Sequence, residues 1–213
     1  MTTNFWFALA LSSTIGFILG ILASYLVWWI NFHKIRPQAN FSLEIAKRKV
    51  GDQTVFYQVA FQNAGRRKMV DLDIVVRIGI KNYLGAGGWG YQEIRTNASR
   101  VPDLSPGEDS RRLIRVFDNR DKLEFVDIPS KSIRDAMEGC ASLEELLRLG
   151  SDGNVQVHVF GFDEFSGARR HLPSKKYKVH DIRTGRFKGL DVVEERKRYS
   201  YSGSTPEISK KPL

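Results

Sequence analysis

The sequence is poor in the side chains that build covalent or metal-dependent sites. Its 213 residues include one cysteine, Cys140, and four histidines. A single cysteine excludes an intramolecular disulfide and fits a reducing compartment. No histidine stands at a metal-ligand spacing from Cys140 or from another histidine, so no zinc site is predicted. The histidines are His33, His158, His171 and His180. The sequence predicts no metal, no cofactor and no catalytic residue.

Long apolar stretches are also scarce, and the one present lies at the N-terminus. Residues 5–30 carry no charged side chain, and about 20 apolar residues suffice to cross a bilayer as a helix. Aromatic residues, which favour headgroup depth, mark both ends of this stretch. They are Phe5, Trp6, Phe7, Tyr25, Trp28 and Trp29. We predict a transmembrane anchor over residues 1–33, a linker over residues 34–39 and one water-soluble body beyond.

Positive charge follows the apolar stretch but does not precede it. The cations are Lys34, Arg36, Lys47, Arg48 and Lys49. The positive-inside rule therefore predicts a single-pass protein of the cell membrane, with its N-terminus outside and its body in the cytoplasm. The same five cations are predicted to contact an anionic leaflet. A cleaved signal peptide and an inverted signal-anchor are the alternatives, although a basic n-region is missing.

Small residues recur along one face of the predicted helix. Ala8, Ser12, Gly16, Gly20 and Ser24 are spaced by four, which keeps them on one helical face. Small side chains let two membrane helices approach closely, and Gly16 with Gly20 forms a G-x-x-x-G motif. We predict a helix–helix interface here, either with a second copy or with a different partner helix.

The remaining charge is spread rather than concentrated. The net charge is +9, yet residues 50–194 hold 23 basic and 21 acidic side chains. A nearly neutral body with basic ends lacks the concentrated basic face of a nucleic-acid binder, so nucleic acid is not a predicted partner. Residues 195–213 are polar, basic and poor in aliphatic residues, which predicts a disordered tail.

The body shows the period-two alternation of antiparallel strands. Apolar residues alternate with polar ones over residues 41–45, 55–61, 70–80 and 155–159, a pattern typical of sheets with one buried face. Residues 130–149 instead predict two short helices, with Ser142 and Glu145 matching a capping box. Such an insert is expected to cover a sheet edge or end. We predict a β domain over residues 40–194.

A glycine-rich segment interrupts the alternation at residues 85–90. Phosphate-binding glycine loops open a helix, whereas the residues that follow this segment predict another strand, so the segment is interpreted as a hairpin loop. Tyr83, Trp89 and Tyr91 lie in or beside it and are the candidate binding residues, because Trp and Tyr dominate interface energetics. The alternative is that Trp89 folds back as a lid on the core.

Two short motifs carry a family resemblance. Val59–Gly65 reads VAFQNAG, and Leu104–Glu108 reads LSPGE before a further strand. Together they resemble the bacterial immunoglobulin-like modules of the CARDB type, over roughly residues 53–118. In that group an asparagine and a glycine close one hairpin and a proline–glycine turn opens a later strand. The resemblance implies an immunoglobulin-like antiparallel β-sandwich, which about seven strands with frequent turns also favour.

Two functional hypotheses follow. The favoured one is a membrane-anchored binding or scaffolding protein, an accessory component of a membrane complex whose soluble partner the sequence does not identify. The alternative is a membrane-tethered ligand sensor or enzyme with a pocket near the glycine segment. Lys210 and Lys211 also resemble a dilysine retrieval signal at the C-terminus.

Overall fold

The computed structural model describes residues 2–50, 54–83, 87–119, 124–127 and 131–194. Helix α1 covers Thr2–Trp29 and continues into a π-helical turn at Ile30–Lys34. The apolar segment Phe5–Phe32 has a mean hydropathy of 2.0, and none of it is buried against the body. The predicted N-terminal apolar helix is therefore confirmed, and its length and composition are compatible with a membrane anchor or a signal sequence.

The body beyond α1 is mainly β, as predicted. Its strands are β1 Ala39–Phe41, β2 Ile45–Val50, β3 Thr54–Asn63, β4 Met69–Lys81, β5 Trp89–Leu104, β6 Arg112–Asp118, β7 Glu124–Phe125, β8 Asp152–Asp163, β9 Arg169–Pro173, β10 Ile182–Thr184, β11 Arg186–Lys188 and β12 Asp191–Val193. Its helices are α2 Lys131–Glu138 and α3 Leu143–Leu147. The predicted tail 195–213, including Lys210 and Lys211, lies outside the described residues.

The first sheet is built around β3. Strands β1 and β2 pair antiparallel with its two halves along one edge, and β6 pairs along the other edge. Strand β10 then pairs parallel with β2. The uninterrupted alternation predicted over residues 41–45 is wrong at residues 42–44, where the edge strand breaks. The backbone of Ser42 still bonds Ala60, while its hydroxyl accepts from the Ala60 N–H and donates to the Glu44 carbonyl.

The second sheet has the order β7–β5–β4–β8–β9, with antiparallel pairing throughout. Strand β4 is its centre, flanked along most of its length by β5 and β8. Strands β11 and β12 form a separate hairpin. The hairpin loop predicted before Trp89 connects β4 to β5, although residues 84–86 lie outside the described part of the chain.

Both sheets contribute to one hydrophobic core. From the first sheet come Ile45, Tyr57, Val59, Phe61, Ile114 and Val116, and from the second come Leu72, Ile74, Val76, Ile78, Val155, Val157 and Val159. These side chains are at most 1% exposed. The residues predicted to alternate along β4 and β8 are therefore the ones that fill the space between the sheets, and their burial supplies the main driving force for folding.

The two-helix insert closes one end of this core. Ser142 caps α3, since its hydroxyl accepts from the Glu145 N–H at 3.2 Å. Leu143, Leu146 and Leu147 are then buried in the core cluster. The end they cover is where β4 stops and β8 begins, because Ser151 N–H donates to the Lys81 carbonyl at 3.0 Å. The insert thus covers a sheet end, as predicted.

A polar network fastens α3 to the first sheet. Glu144 accepts from the Lys47 ammonium at 2.6 Å and from the Tyr57 hydroxyl. Burial alone would raise the pKa of Glu144, but the bonds from Lys47 and Tyr57 outweigh it and hold that pKa below its usual value. Burial, and then the Glu144 carboxylate, raise the pKa of Tyr57. The ionised form of Glu144 is therefore the form that stabilises the fold.

Replacing Glu144 by Gln should reduce the acid sensitivity of folding. A carboxylate whose pKa is lower when folded contributes stability above its unfolded pKa and loses it as pH falls through the folded value. Wild type should therefore exceed Glu144→Gln in stability at about pH 7, and the two should converge towards about pH 3. Urea unfolding of the full chain in detergent measures this. Glu138→Gln, which removes the same charge from an exposed position of α2, is the control and should run parallel to wild type.

Candidate binding surface

The outward side of the second sheet carries an unusual set of side chains. Because alternate residues of β4 point into the core, Asp73, Arg77 and Gly79 point away from it. The register then aligns Gly79 with Tyr91 and Asn154, and Asp73 with Arg100 and Phe160. We call this side the outer face. It comprises Asp73, Arg77, Gly79, Trp89, Tyr91, Glu93, Arg100, His158, Phe160, Arg169 and His171.

Trp89 and Tyr91 form an exposed aromatic pair at the end of the outer face near α3. Their rings stack at 6.0 Å with an interplanar angle of 14°, and they are 39% and 46% exposed. The interpretation of Trp89 as a core lid is therefore wrong. Gly79 makes the arrangement possible, because a Cβ there would lie 2.8 Å from Tyr91 Cε1.

Arg77 completes this end of the face. Its guanidinium carbon lies 6.0 Å from the centroid of the Tyr91 ring, and its Nε donates to Glu93 Oε1 at 2.9 Å. The ion pair holds the guanidinium against the aromatic ring, which is the arrangement of a cation–π contact. Aromatic rings and an arginine on an exposed sheet face are the residue types that dominate protein interfaces.

A second aromatic group lies along β8 and β9. Phe160 and His171 stack at 4.6 Å with an interplanar angle of 11°. His158 Nδ1 and His171 Nε2 are 2.8 Å apart, so one ring donates a hydrogen bond to the other. Burial, followed by the charge of Arg77, lowers the pKa of His158. A neutral His158 at pH 7 suits this contact, because two imidazolium rings would repel each other.

Sequence reasoning missed the histidine contact, although a signal for it exists. His158 and His171 stand 13 residues apart, so no local spacing links them. The β8–β9 turn, which includes Phe165–Gly167, fixes a hairpin register that aligns Phe160 with His171 and His158 with Pro173. Applying that register to the two strands would have placed the three rings on one face.

A mixed-charge depression lies at the end of the outer face where β4 begins, next to Phe160. It has a volume of about 260 Å³ and is lined by Asp71, Asp73, Arg100, Phe160, Gly161, Phe162 and Arg169. The guanidinium of Arg169 lies 5.4 Å from the centroid of the Phe160 ring. The ligand-sensor hypothesis expected a pocket near the glycine segment. This depression lies at the opposite end of the outer face.

Tyr83 does not join the other two candidate binding residues. It follows β4, is partly buried and packs against the hydrophobic core. The turn beside it is closed by the Asn82 N–H, which donates to the Gly88 carbonyl at 2.7 Å, and Gly87 and Gly88 adopt φ values of 66° and 78°. The structure thus unites Trp89 and Tyr91 with β8 and β9, and leaves Tyr83 apart.

The predicted lipid-contacting cations do not form one patch. Arg36 is exposed directly after α1, whereas the Lys34 side chain lies outside the described atoms. Lys47, Arg48 and Lys49 belong to β2. Lys49 pairs with Val55 of β3, whereas Ala39, which follows the linker, pairs with Asn63 of the same strand. Val55 and Asn63 are eight residues apart, which corresponds to about 26 Å along the strand. The structure therefore separates the β2 cations from the helix end.

The small-residue face of α1 is open. Nothing lies within 4 Å of a Cβ built at Gly16 or Gly20. Beside Gly20 and Ser24 is a depression bordered by the larger side chains of Phe17, Ile21, Tyr25 and Trp28. Ala8, Ser12 and Ser24 are exposed as well, and the Ser12 hydroxyl bonds the Leu9 carbonyl of its own helix at 3.0 Å. The face has the shape that close helix packing requires.

Cys140 has the surroundings of a structural thiol. It lies between α2 and α3, is partly buried and donates to the Ala136 carbonyl at 3.3 Å. Burial and the nearby Glu145 raise its pKa. A raised pKa favours the protonated thiol, whereas a nucleophilic cysteine needs the thiolate.

Comparison of the chain with protein-family models and with curated proteins returns no match. The resemblance to CARDB-type modules therefore stays a prediction.

Replacing Gly79 by Ala should displace Tyr91 with little effect on stability. The added methyl group would overlap the half-exposed Tyr91 ring at 2.8 Å and crowd the Asn154 amide at 3.1 Å, so we expect the exposed ring to shift while the core is unchanged. We expect an altered Trp89–Tyr91 signal in near-ultraviolet circular dichroism and a change below about 1 kcal/mol in the free energy of unfolding. Gly90→Ala is the matched control, since its Cβ would make an ordinary 3.8 Å contact. Equal spectra for both variants would contradict the packing role of Gly79.

Proposed function

We propose that the protein is a single-pass membrane-anchored binding or scaffolding module whose outer face binds a protein partner. In this proposal α1 spans the cell membrane with the N-terminus outside, and the body is an immunoglobulin-like sandwich in the cytoplasm. The protein acts as an accessory component of a membrane complex. The observation that carries the proposal is the exposed Trp89–Tyr91 pair with its flanking arginine, on a sheet face that plays no part in the core.

The strand order supports the immunoglobulin-like assignment. When β1 and β2 count as one broken strand and the two-residue strand β7 is left out of the count, the first, second and fifth strands share one sheet. The other sheet then has the order fourth, third, sixth, seventh. Constant-type immunoglobulin sandwiches place strands A, B, E and D in one sheet and C, F and G in the other. The described strands occupy all of these places except that of D. The fourth strand extends the second sheet beside the third, as an added strand does beside strand C in variable-type domains.

The two motifs of the CARDB resemblance also meet in space. The Asn63 side chain donates to the Leu104 carbonyl at 3.1 Å, and the Gly107 N–H donates to the Asn63 carbonyl at 3.1 Å. Asn63 is fully buried. A buried asparagine with these bonds links the end of β3 to the turn before β6, which gives both motifs a common structural role.

The composition of the outer face favours a protein partner. Tryptophan, tyrosine and arginine are enriched among interface hot spots, and this face presents all three within one group of contacts. The mixed-charge depression adds two aspartates and two arginines at the other end. Such a face suits a partner with apolar and charged groups of both signs, since complementary charges fix the register of an interface.

Removing the aromatic pair should weaken partner binding. A photo-crosslinking amino acid at position 91 of the full-length protein in native membranes should capture one defined protein, whereas the same amino acid at Leu113, which is 40% exposed, should not. For that protein, Trp89→Ala with Tyr91→Ala should raise the dissociation constant about 30-fold or more, as expected for hot-spot residues. Equal capture at both positions, or unchanged affinity, would contradict the proposal.

Enlarging the small residues of α1 should abolish helix association. Gly16→Leu with Gly20→Leu fills the face across which two backbones would approach, so a membrane two-hybrid signal between α1 segments should be lost. Leu11→Ile with Ile18→Leu keeps side-chain volume on the opposite side of the helix and serves as the control. An unchanged two-hybrid signal for the Gly16→Leu, Gly20→Leu variant would contradict the predicted interface.

A further inference from the structure

The end of α1 is fastened to the body by specific contacts. Arg67, in the β3–β4 loop, donates from Nη2 to Asn31 Oδ1 at 3.0 Å. The linker after α1 also runs directly over Gly65, because a Cβ there would lie 2.5 Å from the Gln38 nitrogen and 2.6 Å from Pro37 Cα. Pro37 itself is buried. The β3–β4 loop is therefore held beside the C-terminal end of the helix.

Phe165 lies on the same end of the body and points outward. It is 72% exposed, the same value as Phe7 of α1. The Arg67 guanidinium carbon lies 4.2 Å from the centroid of its ring. One arginine thus touches both the end of the apolar helix and the most exposed large apolar side chain among the described residues of the body.

The turn that carries Phe165 is held in place rather than loosely attached. The buried Asp163 accepts from the Phe165 N–H at 3.0 Å, and the Glu164 N–H donates to the Lys68 carbonyl at 3.2 Å. Burial would raise the pKa of Asp163, but the hydrogen bonds from Phe165 and Ser166 and the charge of Arg67 keep that pKa below its usual value. An ionised Asp163 therefore fixes the turn with its phenylalanine exposed.

The position of this turn corresponds to headgroup depth. Trp28 and Trp29 end α1, and such residues sit at the membrane–water interface. Asn31 follows Trp29 by about 3 Å along the helix axis, so the contacts from Asn31 to Arg67 and from Arg67 to Phe165 begin at that interface. Arg36 and Arg66 are exposed at the same end and provide the positive charge that lipid phosphates attract.

We propose that the β8–β9 turn inserts Phe165 into the bilayer interface beside α1, with the exposed Arg36 and Arg66 facing lipid phosphates. The occupant of this surface is the phospholipid bilayer in which α1 is embedded. An amphipathic combination of an aromatic ring and arginines is suited to this boundary, since the ring prefers the acyl–headgroup region and the guanidinium groups prefer the phosphates. The inference rests on the proposed membrane-spanning role of α1.

Spin-label accessibility in nanodiscs tests the contact. In a full-length Cys140→Ser background, a nitroxide is placed in turn at Ala64, which is exposed beside Arg66, at Leu43 and at Phe17. We expect the label at Ala64 to be relaxed more by oxygen than by a water-soluble nickel chelate. Discs of phosphatidylcholine and discs containing phosphatidylglycerol are compared, and the oxygen preference should be larger in the anionic discs.

A matched pair of variants makes the test specific. Phe165→Ser should remove the oxygen preference of the label at Ala64, whereas Leu43→Ser should not, although Leu43 is 70% exposed. Circular dichroism of each variant confirms that it folds. A label at Ala64 that stays as accessible to the nickel chelate as one at Leu43, or that is unaffected by Phe165→Ser, overturns the inference. An aqueous label at Phe17 would instead overturn the membrane-spanning role of α1, so the two failures are distinguishable.

Discussion

The constraint on which the structure depends is the two-sidedness of β4. Its inward side chains, among them Leu72, Ile74 and Val76, are fully buried and pack with residues of both sheets. Its outward positions carry Arg77 and Gly79, which define the outer face. A slip of one residue in the register would exchange these sets, exposing the core and burying an arginine. The same alternation therefore fixes the hydrophobic core and the candidate binding surface.

The body has two chemically different ends. At one end the linker, the β3–β4 loop and the β8–β9 turn converge on the end of α1 through Arg67. At the other, α3 fills the opening between the sheets with three leucines, and Glu144 holds it through Lys47 and Tyr57. Phe165 stays exposed at the first end, whereas α3 closes the second end. This asymmetry agrees with a body that stands on a membrane by one end.

Local patterns in the sequence predicted local structure well. The apolar stretch predicted α1, period-two alternation predicted β4 and β8, and Ser142 predicted the start of α3, because each depends only on neighbouring residues. The outer face could not be predicted in the same way. Trp89, Phe160 and His171 come from three strands, and only the pairing register brings them to one side. Lys47, Arg48 and Lys49 do not lie beside Arg36 for a related reason. They are close to it in sequence, but an extended strand places them far from the end of α1.

The distance between the two proposed interfaces limits what kind of partner can use both. Met69 pairs with Asp163 beside the turn of Phe165, and Lys81 pairs with Trp89 at the other end of β4. Twelve residues of strand separate these pairs, which corresponds to about 40 Å. A partner that packs against α1 and also reaches Trp89 must therefore have its own body projecting from the membrane. Once such a partner is bound to α1, its contact with the outer face becomes intramolecular. Even a weak binding site on the outer face would then be occupied, because a shared bilayer provides a high effective concentration.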